Sequence, residues 1–193
     1  MTRSRGRRPP APGTPASWEI DEIIRVDHAG EYGAKRIYDG QLAVLGAGPR
    51  NRRVVAAIHR MAEQEARHLE RFDRLVNARR VRPTVLTPVW QVAGFALGAV
   101  TALLGTRAAM ACTASVEEVI DEHYACQLER LDGDPELKQV VAEFRADEHE
   151  HRDEALALGA AETPGAAETP GYRLLSESIK AGCRLAIRLS EKI

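Results

Sequence analysis

Each half of this chain contains a lone glutamate followed, 34 or 31 residues later, by a Glu-x-x-His pair. The six residues are Glu31, Glu65 and His68 in the first half and Glu117, Glu148 and His151 in the second. Because residues three apart on an α-helix project from nearly the same side, the glutamate and histidine of one pair can bind the same cation. Four inward carboxylates and two imidazoles are the ligand set with which a helical bundle holds two iron or manganese ions. The duplicated pattern therefore predicts such a bundle, with these six residues as its metal-binding and catalytic residues.

The spacing gives the pattern its weight. A single Glu-x-x-His pair is weak evidence, since a chain with 6 histidines and many glutamates produces such pairs by chance. The distance back to the first glutamate, however, suits a helix, a short turn and a returning helix in both halves. The alternative interpretation is that these residues are solvated side chains on exposed helix faces.

Composition favours helices throughout the chain. Its 193 residues fit one domain, and they are 44% apolar but only 5% aromatic. Alanine, leucine, glutamate and arginine dominate, and these residues favour helix over strand. We therefore expect an all-α fold. The net charge of −1 gives the protein no general attraction to nucleic acid.

The N-terminal segment 1–17 differs from the rest of the chain. It contains four arginines, four prolines and no acidic residue, a composition that predicts a disordered tail. It lacks the apolar run of a secretory signal, and it is short and proline-rich for a mitochondrial presequence. Cys112, Cys126 and Cys183 are odd in number and widely spaced, which predicts reduced core or interface residues of an intracellular protein.

Two helical hairpins are predicted within the domain 18–193. Apolar residues recur every three or four positions in the segments 20–45, 51–78, 108–131 and 135–158. Turns containing glycine and proline separate the members of each pair, at 46–49 and 132–135. In each hairpin the two glutamates lie 15 to 17 residues from the turn, so they reach the same height on adjacent helices. Two such hairpins form a four-helix bundle with all six candidate ligands in one layer.

The segment 84–106, between the two hairpins, carries no charge in 23 residues. Its length and hydropathy alone would allow a transmembrane helix. A spanning helix, however, would place the two halves of the ligand set on opposite sides of the membrane. We therefore expect a crossover helix that lies in the membrane interface or covers the bundle, with Pro88, Gly94, Gly98 and Gly105 breaking a continuous span. A fully buried crossover helix is the alternative.

The C-terminal region comprises a flexible small-residue linker, 160–171, and a final amphipathic helix, 172–193. Lys180, Arg184 and Arg188 form an i,i+4 cationic row beside the apolar face of this helix. Such a helix suits an anionic membrane surface, and packing against the bundle with a solvated basic edge is the other option.

The residue types of the predicted centre favour iron. Carboxylate and imidazole ligands suit iron, manganese or zinc, whereas magnesium and calcium rarely take two histidines. Asp147, four residues before His151, is a candidate hydrogen-bond partner for that histidine, although an acidic neighbour is also common on a solvated surface. Tyr124 lies two turns after Glu117 on the same face, where it could contact a substrate or serve only as a core tyrosine.

Several longer stretches of the sequence match one known family. They are IIRVDHAGEYGAKRIYDGQLAVLG from Ile23, QEARHL from Gln64, RVRPTVLTPVWQVAGFALGAVTALLG from Arg80, AMACTASVEEVIDEHY from Ala109, DEHEH from Asp147 and AGCRLAIRLSE from Ala181. They follow one another in order over most of residues 20–192. In these stretches the chain resembles the demethoxyubiquinone hydroxylases, which are ferritin-like di-iron monooxygenases of ubiquinone biosynthesis.

This resemblance implies a role for each candidate ligand. Glu31 and His68 would bind the first iron, Glu117 and His151 the second, and Glu65 and Glu148 would bridge the two. The resemblance also implies ring hydroxylation of a polyprenyl methoxy-methyl-benzoquinol with dioxygen. The iron pair would be reduced by reduced nicotinamide or by the quinol itself.

The implied substrate has a long prenyl tail that must reside in lipid. The segment 84–106 and the last helix would therefore dock the bundle on a membrane surface, so that substrate can reach the irons. We expect a peripheral protein on the cytoplasmic face of a bacterial membrane, or alternatively on the matrix face of the mitochondrial inner membrane. Dimerisation through the crossover or the last helix stays open, as does delivery of the quinone by a lipid-binding accessory protein.

Other functions use the same ligands. An iron-storage protein would oxidise iron without an organic substrate, a manganese catalase would disproportionate peroxide, and a structural helical protein would bind no metal. The uncharged crossover argues against a storage cage, which has little reason to expose it.

Overall fold

The computed structural model describes residues 17–46, 51–162 and 170–193. Within these ranges all regular structure is helical, which confirms the predicted all-α class. The helices are α1 (Ser17–Leu45), α2 (Arg52–Arg79), α3 (Thr87–Leu103), α4 (Thr106–Leu128), α5 (Pro135–Glu162) and α6 (Pro170–Lys192).

Four of these helices form the bundle. Helices α1 and α2 pack as one hairpin, and α4 and α5 pack as the other. Helix α1 also runs antiparallel to α4: the Gln41 side chain donates to the Thr113 hydroxyl at 3.2 Å, and the Gln127 side chain donates to Asp27 at 2.7 Å. Helices α2 and α5 face each other across the bundle. This is the ferritin-like bundle of two hairpins that the sequence predicts.

The helix ends differ from the prediction by a few residues. Helix α1 already begins at Ser17, and α4 ends at Leu128, three residues early. Helix α5 continues through two alanines to Glu162 because alanine has the highest helix propensity. Pro170 opens α6, as proline favours a first helical turn. Both ends of the predicted linker are therefore helical. The remaining parts of the predicted tail, first turn and linker lie outside the described residues, at 1–16, 47–50 and 163–169.

Helix α3 packs closely along α1 and is continuous through Gly94 and Gly98, so the prediction that these two residues break the helix is wrong. They have a packing role instead. A Cβ atom at Gly98 would lie 1.9 Å from the Ile37 carbonyl oxygen, and one at Gly40 would lie 2.2 Å from the Phe95 carbonyl oxygen. These glycines therefore allow the two helix backbones to touch.

The other two predicted breaks lie at the ends of α3. Pro88 is in its first turn, and Gly105 joins α3 to α4 with a φ of +110°, which favours glycine. Helix α3 is not fully buried, since Val92 is 72% exposed and Leu103 is 73% exposed. None of the helices in the described ranges has the length and apolar character needed to cross a bilayer.

Helix α6 is fastened to α4 by ion pairs. The Lys180 ammonium lies 2.6 Å from Glu118, and the Arg184 guanidinium lies 2.9 Å from Glu122. Two members of the predicted cationic row thus neutralise acidic residues of the bundle, which is the packing alternative of the sequence analysis. Of the three residues in the cationic row, Arg188 alone has no acidic partner among the ion pairs of the described residues.

The three cysteines are free, as predicted. Cys112 is buried and Cys183 is partly buried beside the same apolar cluster. Cys126 is exposed on this chain, so it does not lie in the core, and of the two predicted locations only an interface stays open for it.

Two apolar clusters fill the bundle on either side of its midpoint. One contains Ile23, Ile24, Phe72, Leu75, Leu131, Leu137 and Val141. The other contains Leu45, Val54, Ile58, Met61, Met110 and Leu158. The layer between them is left for polar side chains.

The α1–α3 contact predicts opposite effects for two glycine substitutions. Gly98→Ala should lower the free energy of unfolding by about 1–3 kcal/mol, because its methyl group would overlap the Ile37 carbonyl. Gly30→Ala, on the same pair of helices, has nothing within 4 Å of the added Cβ and should raise it by up to about 1 kcal/mol. Urea unfolding of both variants checks this, and equal midpoints would contradict the close contact.

Candidate metal centre

The six predicted ligands meet in the polar layer of the bundle. Each is at least 97% buried, and they come from four helices. Helix α1 contributes Glu31, α2 contributes Glu65 and His68, α4 contributes Glu117, and α5 contributes Glu148 and His151. The alternative interpretation, solvated side chains on exposed helix faces, is therefore wrong.

The donor atoms form two overlapping groups. One group comprises Glu31, Glu65, His68 and Glu148, and the other comprises Glu65, Glu117, Glu148 and His151. Within each group the donor atoms lie within 4.8 Å of one another. Glu65 and Glu148 belong to both groups, which is the position that a carboxylate bridging two cations needs.

Several of these donor atoms lack any hydrogen-bond partner. They are both oxygens of Glu65, one oxygen each of Glu117 and Glu148, and Nδ1 of His68. A buried polar atom without a partner is costly to the fold, and such atoms are rare unless an ion or water satisfies them. Here the unpartnered atoms converge on one layer and are all metal-ligating types. The residues therefore fit a pair of cations.

Each histidine is oriented from behind by an acceptor on the facing helix. His68 Nε2 donates to Asp147 Oδ2 at 2.9 Å, and His151 Nε2 donates to Gln64 Oε1 at 3.1 Å. These bonds leave the Nδ1 atoms directed at the carboxylates, with His151 Nδ1 3.1 Å from Glu148 Oε2. An outer acceptor of this kind fixes the ring of a metal-binding histidine.

Asp147 thus contacts a different histidine from the one predicted. The prediction paired it with His151 on its own helix, but the ring of His151 is turned towards α2. Gln64 was missed altogether. The signal for it was positional, since Gln64 directly precedes one Glu-x-x-His pair and Asp147 directly precedes the other.

Glu31 and Glu117 each belong to one ligand group only and are called the terminal glutamates here. A tyrosine donates a hydrogen bond to each of them. Tyr124 Oη donates to Glu31 Oε1, so this side chain points into the layer. Tyr38 Oη donates to Glu117 Oε1 at 2.5 Å. Tyr38 was not among the predicted site residues, although it follows Glu31 by seven residues, as Tyr124 follows Glu117.

Without cations the centre retains protons. Burial and the nearby Glu148 raise the pKa of both Glu65 and Glu117 well above the usual range. Burial lowers the pKa of His68, but Glu148 and other carboxylates outweigh it and raise that pKa to about 12. Burial raises the pKa of Glu148, but the hydrogen bond from His151 and the positive charges of His151 and His68 bring it down to about 2. Glu148 therefore favours its charged form, whereas Glu65 and Glu117 favour their protonated forms.

Metal binding should therefore release protons. The pKa of about 12 keeps His68 protonated at pH 7, and the raised pKa values of Glu65 and Glu117 favour their protonated forms, so a cation must displace protons and the apparent metal affinity should rise with pH. Calorimetric titration of the metal-free protein in buffers of different ionisation enthalpy measures the released protons. A binding heat that does not depend on the buffer would contradict the expected protonation state.

An apolar cavity of about 500 Å³ lies on the outer side of α1 and α4, enclosed by α3 and α6. Gly30 and Val116 form part of its wall, and each is next in sequence to a terminal glutamate of the centre. Trp90, Leu97, Ile179 and Gly182 line it from the other two helices. The cavity therefore adjoins the two helix segments that carry Glu31 and Glu117.

Fold and site together define a ferritin-like helical-bundle protein with a buried carboxylate–histidine centre suited to two cations. The comparison with known families is consistent with this class. The family model described as "Ubiquinone biosynthesis protein COQ7" matches residues 18–190. The chain therefore belongs to the COQ7 family, as its resemblance to the demethoxyubiquinone hydroxylases implied.

Curated relatives cover most of the chain. A 3-demethoxyubiquinol 3-hydroxylase of Rhodospirillum rubrum is 53% identical over 96% of this chain and 84% of its own length. The mitochondrial NADPH-dependent 3-demethoxyubiquinone 3-hydroxylase of Mus musculus is 53% identical over 90% of this chain and 77% of its own length. The mitochondrial 5-demethoxyubiquinone hydroxylase of Saccharomyces cerevisiae is 40% identical, with 90% and 78% coverage. Relatives thus occur in bacteria and in mitochondria.

Proposed function

We propose that this chain is a monooxygenase of ubiquinone biosynthesis that hydroxylates the ring of a demethoxyubiquinol. Membership of the COQ7 family and the names of the curated relatives support this activity. The observation that carries the proposal is the pair of buried ligand groups that overlap at Glu65 and Glu148.

The ligand set supports two iron ions as the cofactor. Four carboxylates with one imidazole per cation make a hard, anionic set that favours iron over softer metals. When bound, the iron pair supplies the binding and reduction of dioxygen. Glu31 and His68 would hold one ion, Glu117 and His151 the other, and Glu65 and Glu148 both.

The reaction needs two electrons for each dioxygen. A ring carbon–hydrogen bond is replaced by a carbon–hydroxyl bond, and the second oxygen atom leaves as water after taking up two protons. The electrons come from reduced nicotinamide or from the quinol, which is then released as a quinone. The mouse relative is named an NADPH-dependent enzyme, which favours the nicotinamide as electron source for that protein.

The chain's own contribution is orientation and exclusion of water. The Phe144 ring stacks on His68 with their centroids 3.8 Å apart, and Phe72 meets Phe144 edge-on. Apolar clusters close the bundle above and below the polar layer. A dry, preorganised layer of this kind strengthens every electrostatic interaction within it.

The apolar cavity is suited to the prenyl tail of the substrate. Its walls are almost entirely aliphatic, and it lies against the helix segments that carry two of the ligands. Exposed side chains of α3 and α6 extend the apolar surface outwards, among them Val89, Val92, Leu103, Leu174 and Leu185. Such a rim suits the interface of a lipid bilayer, on the cytoplasmic or matrix face. A second copy of the chain or a lipid-binding accessory protein would use the same rim.

The proposed activity can be tested directly. Iron-loaded protein, given a short-tailed demethoxyubiquinol or its quinone with reduced nicotinamide and labelled dioxygen, should add one labelled oxygen to the ring. Glu148→Ala should lose more activity than the roughly 10- to 100-fold typical of outer hydrogen-bond partners, and it should bind less iron. Mass spectrometry and iron analysis measure the two effects.

The matched control is Glu150→Ala, an exposed glutamate of the same helix, which should keep both activity and iron content. Full activity and full iron content in Glu148→Ala would refute the ligand assignment. Oxidation of iron by the unmodified protein without any hydroxylated product would point to storage instead.

Another prediction tests whether the cavity binds the prenyl tail. Nothing lies within 4 Å of a Cβ placed on Gly182, so the ring of Gly182→Phe should enter the cavity and raise KM about tenfold or more. Iron content and kcat should change little. Gly171→Phe on the same helix has equal room and lies away from the cavity, so it is the matched control.

The same assay with substrate held in anionic phospholipid vesicles separates the cavity from the membrane rim. Val92→Glu should slow turnover of the vesicle-bound substrate and leave a soluble short-tailed substrate unaffected, because charge on the rim opposes interfacial docking. A KM for Gly182→Phe equal to that of Gly171→Phe would exclude this cavity as the tail site.

A further inference from the structure

The hydroxyl groups of Tyr38 and Tyr124 are the only tyrosine hydroxyls in the described residues that donate to the metal centre. Tyr38 reaches Glu117 from α1, and Tyr124 reaches Glu31 from α4. Both tyrosines are at least 98% buried. Tyr38 belongs to one of the two apolar clusters and Tyr124 to the other, so the phenols enter the polar layer from opposite sides.

The two contacts are related by the duplication of the hairpins. Each tyrosine follows the terminal glutamate of its own helix by seven residues, two turns further along the same face. Because α1 and α4 run antiparallel, this spacing brings each tyrosine opposite the glutamate of the other helix. The repeated contact is therefore a property of the layer and not of one side chain.

Each phenol donates a hydrogen bond to one of the two carboxylate oxygens of the glutamate that it contacts. Oε1 of Glu117 accepts from Tyr38, and its Oε2 is left without a partner. Oε1 of Glu31 accepts from Tyr124, and its Oε2 faces His68 Nδ1 at 3.4 Å.

Glu65 and Glu148, which belong to both ligand groups, are hydrogen-bonded differently from Glu31 and Glu117. Neither oxygen of Glu65 has a hydrogen-bond partner, and Glu148 receives its hydrogen bond from His151, itself a candidate ligand. No tyrosine hydroxyl among the described residues donates to either of them. The phenols thus distinguish terminal from shared carboxylates.

We infer that Tyr38 and Tyr124 are positioning residues that favour one-oxygen binding by Glu117 and Glu31, because the oxygen that accepts from a phenol is a weaker donor to a cation. This inference rests on the proposed two-metal function. Its consequence is that positions on each cation stay available to dioxygen and substrate, while Glu65 and Glu148 keep both oxygens for bridging. Loss of a phenol frees the second oxygen of a terminal glutamate to bind the cation as well.

The first test removes neither phenol from the centre. Protein in which all four tyrosines carry fluorine is titrated with zinc(II), and fluorine NMR follows each ring. The signals of Tyr38 and Tyr124 should shift with metal occupancy, whereas those of Tyr32 and Tyr172 should not. Single phenylalanine variants of Tyr32 and Tyr172 assign the signals. Unmoved Tyr38 and Tyr124 signals at full zinc occupancy would overturn the inference.

The second test uses cobalt(II) in the variants Tyr38→Phe and Tyr124→Phe, with Tyr32→Phe as the matched control on α1. Each site variant should bind cobalt about 10- to 100-fold more weakly, because an outer hydrogen bond orients its ligand. Its visible absorption should weaken as the coordination number rises, while the control keeps the spectrum of the unmodified protein. Site variants with the affinity and spectrum of the control would overturn the inference.

The two tests separate this inference from the proposed function. If the unmodified protein fails to bind two metal ions per chain, the proposed function fails. If it binds two and the phenols have no effect on shifts, affinity or spectrum, only the role of the tyrosines is wrong. A site variant that fails to fold leaves the decision to the fluorine measurement, which uses the intact centre.

Discussion

The burial of four carboxylates in one layer of a helical bundle is the constraint on which the rest of this structure depends. Side by side and dry, these groups would repel one another, so each must be neutralised by a proton, a histidine or a cation. The layer meets this requirement with two equivalent ligand groups, one from each half of the pattern. Glu65 and Glu148 are shared by two ligand groups, and each group has its own histidine and terminal glutamate. A pair of divalent cations would satisfy the atoms that lack hydrogen-bond partners.

Support for the layer comes from residues outside the six candidate ligands. Asp147 and Gln64 each fix a histidine of the facing motif, and two phenols each fix a terminal glutamate. All four contacts cross between helices. The bundle is thereby tied together at its most polar level, where apolar packing contributes least. Preorganisation of this kind keeps ligands in place before a cation arrives and reduces rearrangement when it binds.

Outside the bundle, α3 and α6 form an apolar layer with a different task. Helix α3 lies against α1 through backbone contacts at Gly40 and Gly98, and α6 is fixed to α4 by Lys180 and Arg184. Between these attachments a cavity remains, bounded by segments that carry ligands on their other side. Helices α1 and α4 therefore present polar ligands to one side and an apolar wall to the other. This division would allow the proposed prenylated substrate to approach a strongly polar centre.

The sequence by itself determined the helical class, the two hairpins and the six residues of the centre. These follow from local rules: an i,i+3 spacing fixes which side chains share a helix face, and equal distances from a turn fix their height. Tertiary structure decided the contacts between helices, because these depend on how each helix is rotated about its axis and which helices cross. Asp147 therefore contacts His68 instead of His151, and Tyr38 joins the site from a helix face that reads as core. Likewise, glycines that resemble helix breaks in the sequence are close contacts between two backbones.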